Sequence, residues 1–201
     1  MGYLPQNVIV ATFTVKASRE MKERIGGLIG NGLERKLILG TFHSISRRYL
    51  VRYGHMIGLT KGFGIADSSD SAAIIKRIIK RQQIGLDASS ARSRISNIKA
   101  QGLTLDDYCL RNEKQRKTIA VSETEFVTVF REYQDALHQA NLLDYDDLLL
   151  RCVELLKRYP DVVTNVEAVL VDEFQDTNLV QFHLVRGFTK WGGRVTVVGD
   201  P

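Results

Sequence analysis

Cysteine is scarce in this 201-residue sequence, and its two copies, Cys109 and Cys152, lie far apart. That spacing is not typical of a disulfide framework or a zinc site, and it indicates a reducing compartment. No run of about 18 apolar residues occurs, so we expect no membrane-spanning helix and no membrane partner. The N-terminal residues lack the basic start and apolar stretch of a secretory signal. A Gly-Lys-Ser/Thr phosphate-binding loop is also missing from these 201 residues.

Acidic residues are few in the first two-thirds of the chain. Residues 1–60 carry nine Lys and Arg against three Asp and Glu, and residues 61–120 carry twelve against six. Residues 121–201 reverse the balance, with seven against fourteen. A basic front portion favours a polyanion such as nucleic acid as partner. Solvated helix faces rich in lysine would give the same pattern, so charge alone does not decide between the two.

Short apolar runs alternate with amphipathic stretches at both ends of the chain. Residues 8–13 and 37–42 are continuous apolar runs, typical of strands in a parallel sheet, and a helical pattern follows each. Residues 168–171 and 194–198 have the same character, with a helical pattern before each. This alternation predicts an α/β domain with parallel strands.

The middle of the chain has a different pattern. Helical periodicity dominates there, and we find no convincing strand. The prediction is therefore a sheet domain over residues 1–60 and 142–201, interrupted by an all-helical subdomain over residues 61–141.

Acidic residues follow two of the predicted strands. Asp172 and Glu173 come directly after the strand at 168–171, and Asp200 follows the last strand. Ligands of open parallel sheets bind at the carboxyl ends of the strands, and Mg²⁺ is often held there by one or two carboxylates together with phosphates. A neighbouring acid can orient an attacking water. The alternative is that these strands simply end in polar residues.

Hydroxyl and aromatic side chains follow the other two strands, in the segments Thr12-Phe13-Thr14 and Thr41-Phe42-His43-Ser44. Helix N-termini offer free N–H groups to phosphates, and aromatic rings can stack on unpaired bases. The two segments together could therefore form a shelf for single-stranded nucleic acid. Either phenylalanine could equally belong to the core.

Five segments in order resemble motifs of one helicase family. They are residues 12–21 (TFTVKASREM), 41–44 (TFHS), 143–148 (LDYDDL), 171–178 (VDEFQDTN) and 199–201 (GDP). They resemble, in turn, the first and second DNA-contact motifs, the segment after the inserted subdomain, the Walker B motif and the start of the next motif. The family is the UvrD/Rep/PcrA group of superfamily 1 DNA helicases, and the wording between the motifs most resembles the fungal branch that removes recombinase filaments from DNA.

The resemblance implies a partial RecA-like fold of the P-loop NTPase class, with ATP and Mg²⁺ as cofactors. Asp172 would hold the magnesium and Glu173 would position the hydrolytic water. The DNA contacts would come from Thr12, Phe13, Thr14, Thr41 and His43. Gln175 and Asp200 would link the nucleotide site to the DNA site. Val15 stands where the family usually has Asn, which puts one polar contact in doubt.

For the intact protein the resemblance implies ATP-driven 3′-to-5′ movement on single-stranded DNA and unwinding at single-strand/duplex junctions, in DNA repair or recombination control. Recombinase filaments are an expected partner, and the expected location is nuclear for a fungal protein and otherwise cytoplasmic. The Walker A loop is expected before Met1 and the second motor domain after Pro201, so this chain alone is expected to be inactive as an ATPase. The alternatives are a non-motor DNA-binding fragment or pseudo-helicase, the helicase subunit of a recombination nuclease, and an unrelated α/β domain.

Overall fold

The computed structural model describes residues 2–30, 32–115 and 121–200. The chain divides into two compact units, Met1–Lys61 with Arg151–Pro201, and Gly62–Leu150. The strands are β1 Val8–Thr12, β2 Ile38–Thr41, β3 Gly64–Ala66, β4 Leu142–Asp144, β5 Ala168–Val171 and β6 Arg194–Val197. The α-helices are α1 Val15–Ile29, α2 Phe42–Tyr53, α3 Ser68–Gln82, α4 Ala88–Ala100, α5 Leu105–Gln115, α6 Val121–Gln139, α7 Tyr145–Arg158 and α8 Leu179–Phe188. No helix within the described ranges has the length and apolar character needed to cross a membrane.

The first unit is built on a four-stranded sheet in the order β2-β1-β5-β6, and every neighbouring pair is parallel. This confirms the predicted α/β class with a parallel sheet. Strand β1 is apolar because both of its faces are covered: Ile9 and Val10, which point to opposite faces, are 0% and 3% exposed. Strand β6 differs, since all four of its residues are exposed.

The helices of this unit begin where short polar side chains can accept a backbone N–H. The Oγ1 of Thr14 accepts from the N–H of Ala17, and the Oγ1 of Thr41 accepts from the N–H of Ser44. Asn178 and Gln181 form a reciprocal capping box at the start of α8. Each cap fixes the point at which a strand turns into a helix.

The second unit contains α3 to α6 around a core that includes Ile75, Ile95, Phe126 and Phe130, all buried. It is not all-helical, because β3 pairs in parallel with β4, which precedes α7. Three residues are too few for strand periodicity to be visible, and the partner strand lies far away in sequence. Residues 142–150, assigned from the sequence to the sheet domain, group with this second unit.

A charged cluster lies inside the second unit. The Nζ of Lys99, a residue only 1% exposed, lies 2.6 Å from Asp144 Oδ2 and 2.7 Å from Asp147 Oδ1. Asp144 also accepts the Asp147 N–H at 2.7 Å and the Tyr133 hydroxyl at 2.9 Å, and that hydroxyl lies 2.8 Å from Ser71 Oγ. Two carboxylates therefore contact one buried ammonium. Of the hydrogen bonds just described, Asp144 accepts more than Asp147.

Asp147 should make folding pH-dependent, because burial raises its pKa from 3.8 to about 6, despite the opposing effect of Lys99. Between these values the folded chain binds more protons at this group than the unfolded chain. Its contribution to stability therefore falls as the pH rises from about 4 to 6. We expect Asp147→Asn to remove this slope, measured as the midpoint of thermal unfolding between pH 4 and 7.5.

The matched control is Asp135→Asn, which removes an exposed carboxylate from α6 of the same unit. The wild-type slope should persist in this control. Parallel profiles for the wild type and Asp147→Asn would contradict the assignment.

Candidate nucleotide and nucleic-acid site

The predicted site residues meet along one edge of the four-stranded sheet, where the carboxyl ends of its parallel strands lie together. We call this the carboxyl edge. Following the strand order β2-β1-β5-β6, the residues after each strand begin with Phe42, Phe13, Asp172 and Val198. The two segments predicted to contact DNA are therefore neighbours on one half of the edge, and the acidic segments are neighbours on the other half.

On the first half, the rings of Phe13 and Phe42 pack edge to face, with their centroids 5.6 Å apart and an interplanar angle of 66°. Phe42 is 2% exposed and belongs to the core, whereas Phe13 is only half-buried and keeps part of its ring accessible. Phe42 therefore fits the interpretation as a core residue, whereas Phe13 keeps an accessible ring that could stack on a base. The buried ring fixes the position of the accessible one.

The polar residues of this half differ in accessibility. Thr14 is exposed, while Thr41 and His43 are half-buried. Thr12 is 0% exposed, and its hydroxyl donates to the Thr14 carbonyl at 3.2 Å. Thr12 was also predicted to contact DNA; its side chain is buried and its hydroxyl is already engaged, and its DNA contact stays a prediction.

On the second half, the backbone turns sharply after β5. The Asp172 N–H donates to the Ala11 carbonyl at 3.1 Å, so Asp172 is still held by the sheet. Glu173 follows with φ at +51°, in the left-handed region that non-glycine residues rarely adopt. The Phe174 N–H then donates to the Val198 carbonyl at 2.9 Å, which ties the turn to β6. A strained backbone conformation that the surrounding structure keeps in place is common at functional sites.

The turn gives each acidic side chain a different setting. Asp172 is half-buried, whereas Glu173 is exposed and accepts the Gln175 amide N–H on its Oε2 at 2.5 Å. A Cβ placed on Gly199 would collide with the amide of Gln175, so the end of β6 closely approaches this pair. Asp200 is exposed next to it, and Pro201 lies outside the described residues.

A protein-only metal centre is not formed here. Among the described residues, no group of three or more His, Cys, Asp or Glu side chains could hold a metal ion. The oxygen donors at the carboxyl edge instead suit a hard cation that arrives with phosphate oxygens of its own, as Mg²⁺ does in nucleotide sites.

Sequence comparisons with known proteins show the family of the chain. The sequence profile of the UvrD/REP helicase N-terminal domain matches residues 1–201. The chain belongs to the UvrD/REP helicase family. The ATP-dependent DNA helicase srs2 of Schizosaccharomyces pombe is 39% identical over 214 residues, covering 98% of this chain and 24% of that protein.

Bacterial UvrD/REP relatives are similar at the same level. The DNA helicase II of Haemophilus influenzae is 33% identical, covering 96% of this chain and 27% of that protein. The ATP-dependent DNA helicase PcrA of Leuconostoc citreum is 34% identical, covering 100% and 27%. The chain thus spans about a quarter of the length of these curated relatives.

The sequence did not predict the buried partners of Asp144. The Asp147 N–H donates to Asp144 Oδ1 at 2.7 Å, so Asp144 caps the start of α7. The sequence feature that could have indicated these partners is Lys99, which lies on the same face of α4 as the apolar residues Ile95 and Ile98. A lysine at such a position predicts a buried charge that needs an acidic partner.

Proposed function

We propose that the intact protein is an ATP-driven translocase on single-stranded DNA that unwinds duplexes in the 3′-to-5′ direction. The observation that carries the proposal is the strand order β2-β1-β5-β6, which gives one sheet edge both the aromatic segments and the acidic segments. Such a motor must couple phosphate chemistry to movement along a strand. Neighbouring strands of one sheet support that coupling, because a displacement at the end of one strand also displaces the end of its hydrogen-bonded neighbour.

In the nucleotide half, Asp172 would bind the Mg²⁺ of Mg-ATP, and Glu173 would orient the attacking water. The metal would supply charge neutralisation on the phosphates. The Gln175 amide, which donates to Glu173 Oε2, would hold that carboxylate in place. Asp200 lies just after β6, near Gln175. It would couple changes in the bound nucleotide to the other residues of the carboxyl edge.

In the DNA half, the accessible ring of Phe13 would stack on an unpaired base. Thr14, Thr41 and His43 would contact the strand around it. Thr12, whose side chain is buried, stays a predicted contact. These roles need no base-specific hydrogen bond, so we expect binding with little sequence preference.

The physiological setting is proposed on the family resemblance. The substrates would be single strands and single-strand/duplex junctions met in DNA repair or recombination control, with recombinase filaments as a further partner. A nuclear location is expected if the protein is fungal, because one of the relatives is a fungal helicase.

Replacing Phe13 by Ala in the full-length protein should weaken binding of single-stranded DNA by about fivefold to a hundredfold. Stacking of one base on an aromatic ring contributes about 1–3 kcal/mol, and each 1.4 kcal/mol corresponds to a factor of ten. The measurement is fluorescence anisotropy of a labelled oligonucleotide titrated with the protein at two salt concentrations.

The control for this experiment is Tyr3→Ala, which truncates another accessible aromatic, 45% exposed, in the segment before β1 rather than after it. Its affinity should match the wild type. Equal affinities for all three proteins would argue against a stacking role for Phe13, and salt-independent binding would argue against phosphate contacts.

A further inference from the structure

A cavity of about 260 Å³ lies on the first unit, away from the carboxyl edge. Its lining comes from α2 and from residues at or before the amino ends of strands: Gln6, Lys36, Ile38, Arg48, Tyr49, Arg52, Tyr53, Val162 and Asn165. Gln6 precedes β1, and Val162 and Asn165 precede β5, so the cavity lies at the amino ends of the strands. The five residues of β1 separate it from Phe13 by about 16 Å. We call it the amino-edge pocket.

Among the residues that the structure describes, three cations line this pocket and no acid does. Lys36, Arg48 and Arg52 are exposed, and none of them forms an ion pair within the part of the chain that the structure describes. Arg48 and Arg52 lie four residues apart on α2, where like charges repel by a few tenths of a kcal/mol. An uncompensated positive charge of this kind attracts an anion.

Two tyrosines that line the pocket restrict the side chains around them, so the pocket is more ordered than a group of separate surface charges. The Arg52 guanidinium lies over the Tyr53 ring, 5.0 Å from its centroid, which restricts the side chain before any ligand binds. Tyr49 is 6% exposed and packs against Phe188 with ring centroids 5.1 Å apart. Burial raises the pKa of Tyr49, so its hydroxyl stays a protonated donor.

We propose that the amino-edge pocket binds the phosphodiester backbone of DNA, as a second contact separate from the shelf at Phe13. This rests on the proposed function, which supplies DNA as the ligand. Arg48 and Arg52 are separated by four helical residues, about 6 Å along the axis of α2. They therefore offer two points of charge, which suits a chain of phosphates better than one free anion. The guanidinium fork is also the geometry that recognises phosphate oxygens.

The test uses the full-length protein carrying Arg48→Gln and Arg52→Gln together. DNA affinity is measured by anisotropy over a series of salt concentrations. Each lost phosphate contact should reduce the slope of log affinity against log salt by about 0.7 for single strands and about 0.9 for duplex. The double variant should therefore lose about 1.4 to 1.8 of slope, depending on the strand.

The matched control is Arg24→Gln with Arg47→Gln, which removes the same charge from exposed arginines of α1 and α2 that do not line the pocket. Its slope should stay close to the wild type. The same slope loss in both double variants, or in neither, would overturn the proposal. So would calorimetric binding of inorganic phosphate that requires Arg48 and Arg52 while DNA affinity does not.

ATP turnover at saturating DNA separates this proposal from the proposed function. We expect the control variant, Arg24→Gln with Arg47→Gln, to keep wild-type turnover, because neither residue lines the pocket. A wild-type protein without DNA-stimulated turnover would contradict the motor function, whereas the difference in salt slope between the two double variants would still report on the pocket.

Discussion

Glu173→Gln in the full-length protein is expected to lower DNA-stimulated ATP turnover by about 10²- to 10⁴-fold, the range typical for loss of a positioned general base. The substitution keeps the size of the side chain and the backbone preference at φ +51° nearly unchanged. It removes only the charge that would orient and accept a proton from the attacking water. Binding of nucleotide and DNA should persist, because Asp172 and Phe13 are untouched. Turnover is measured as phosphate release with and without single-stranded DNA.

The matched control is Glu167→Gln, at the other end of the same strand. Glu167 immediately precedes β5, and its Oε2 accepts the Leu4 N–H at 3.3 Å, a bond that a glutamine oxygen can replace. Its turnover should equal the wild type. A Glu173→Gln protein with turnover within a few-fold of the wild type would exclude Glu173 as the base. Loss of DNA binding in that variant would indicate damage to the turn instead.

Most of the carboxyl edge could be predicted from the sequence, because each strand end combines two local signals. Residues 168–171 are apolar and are followed at once by acids, and the apolar run at 8–13 is followed at once by a helical pattern. Both signals are carried by adjacent residues. Their predicted positions hold to within one or two residues.

Features that depend on distant pairs could not be predicted in this way. The strand β3 exists only because Gly64–Ala66 pairs with Leu142–Asp144, almost 80 residues later. The burial of Thr12 depends on the strands that flank β1 and on the helices that cover them. Strand order decides which acids and aromatics become neighbours, and no local pattern contains it. The amino-edge pocket likewise joins residues from four separate segments, which are residue 6, residues 36–38, residues 48–53 and residues 162–165.

Lys99→Met is the substitution with the largest expected effect on stability, because it leaves two carboxylates without their cation. Asp144 and Asp147 are 7% and 6% exposed, and Lys99 lies within 2.7 Å of both. Removing one partner of a buried ion pair costs about 3–5 kcal/mol. Methionine fills much of the lysine volume, so the loss reports the charge rather than a cavity. Native-state hydrogen exchange of α4 and α6 measures the local unfolding free energy.

The control for surface effects is Lys76→Met, at an exposed position of α3 in the same unit, where the change should stay within about 0.5 kcal/mol. A second comparison separates the charge from the packing. Asp144→Asn and Asp147→Asn added to Lys99→Met should recover much of the loss, since no unpaired charge then remains buried. A loss below about 1 kcal/mol for Lys99→Met, or no recovery in the triple variant, would contradict a charge cluster that holds β4 and α4 together. The cluster would then stabilise the unit by packing alone.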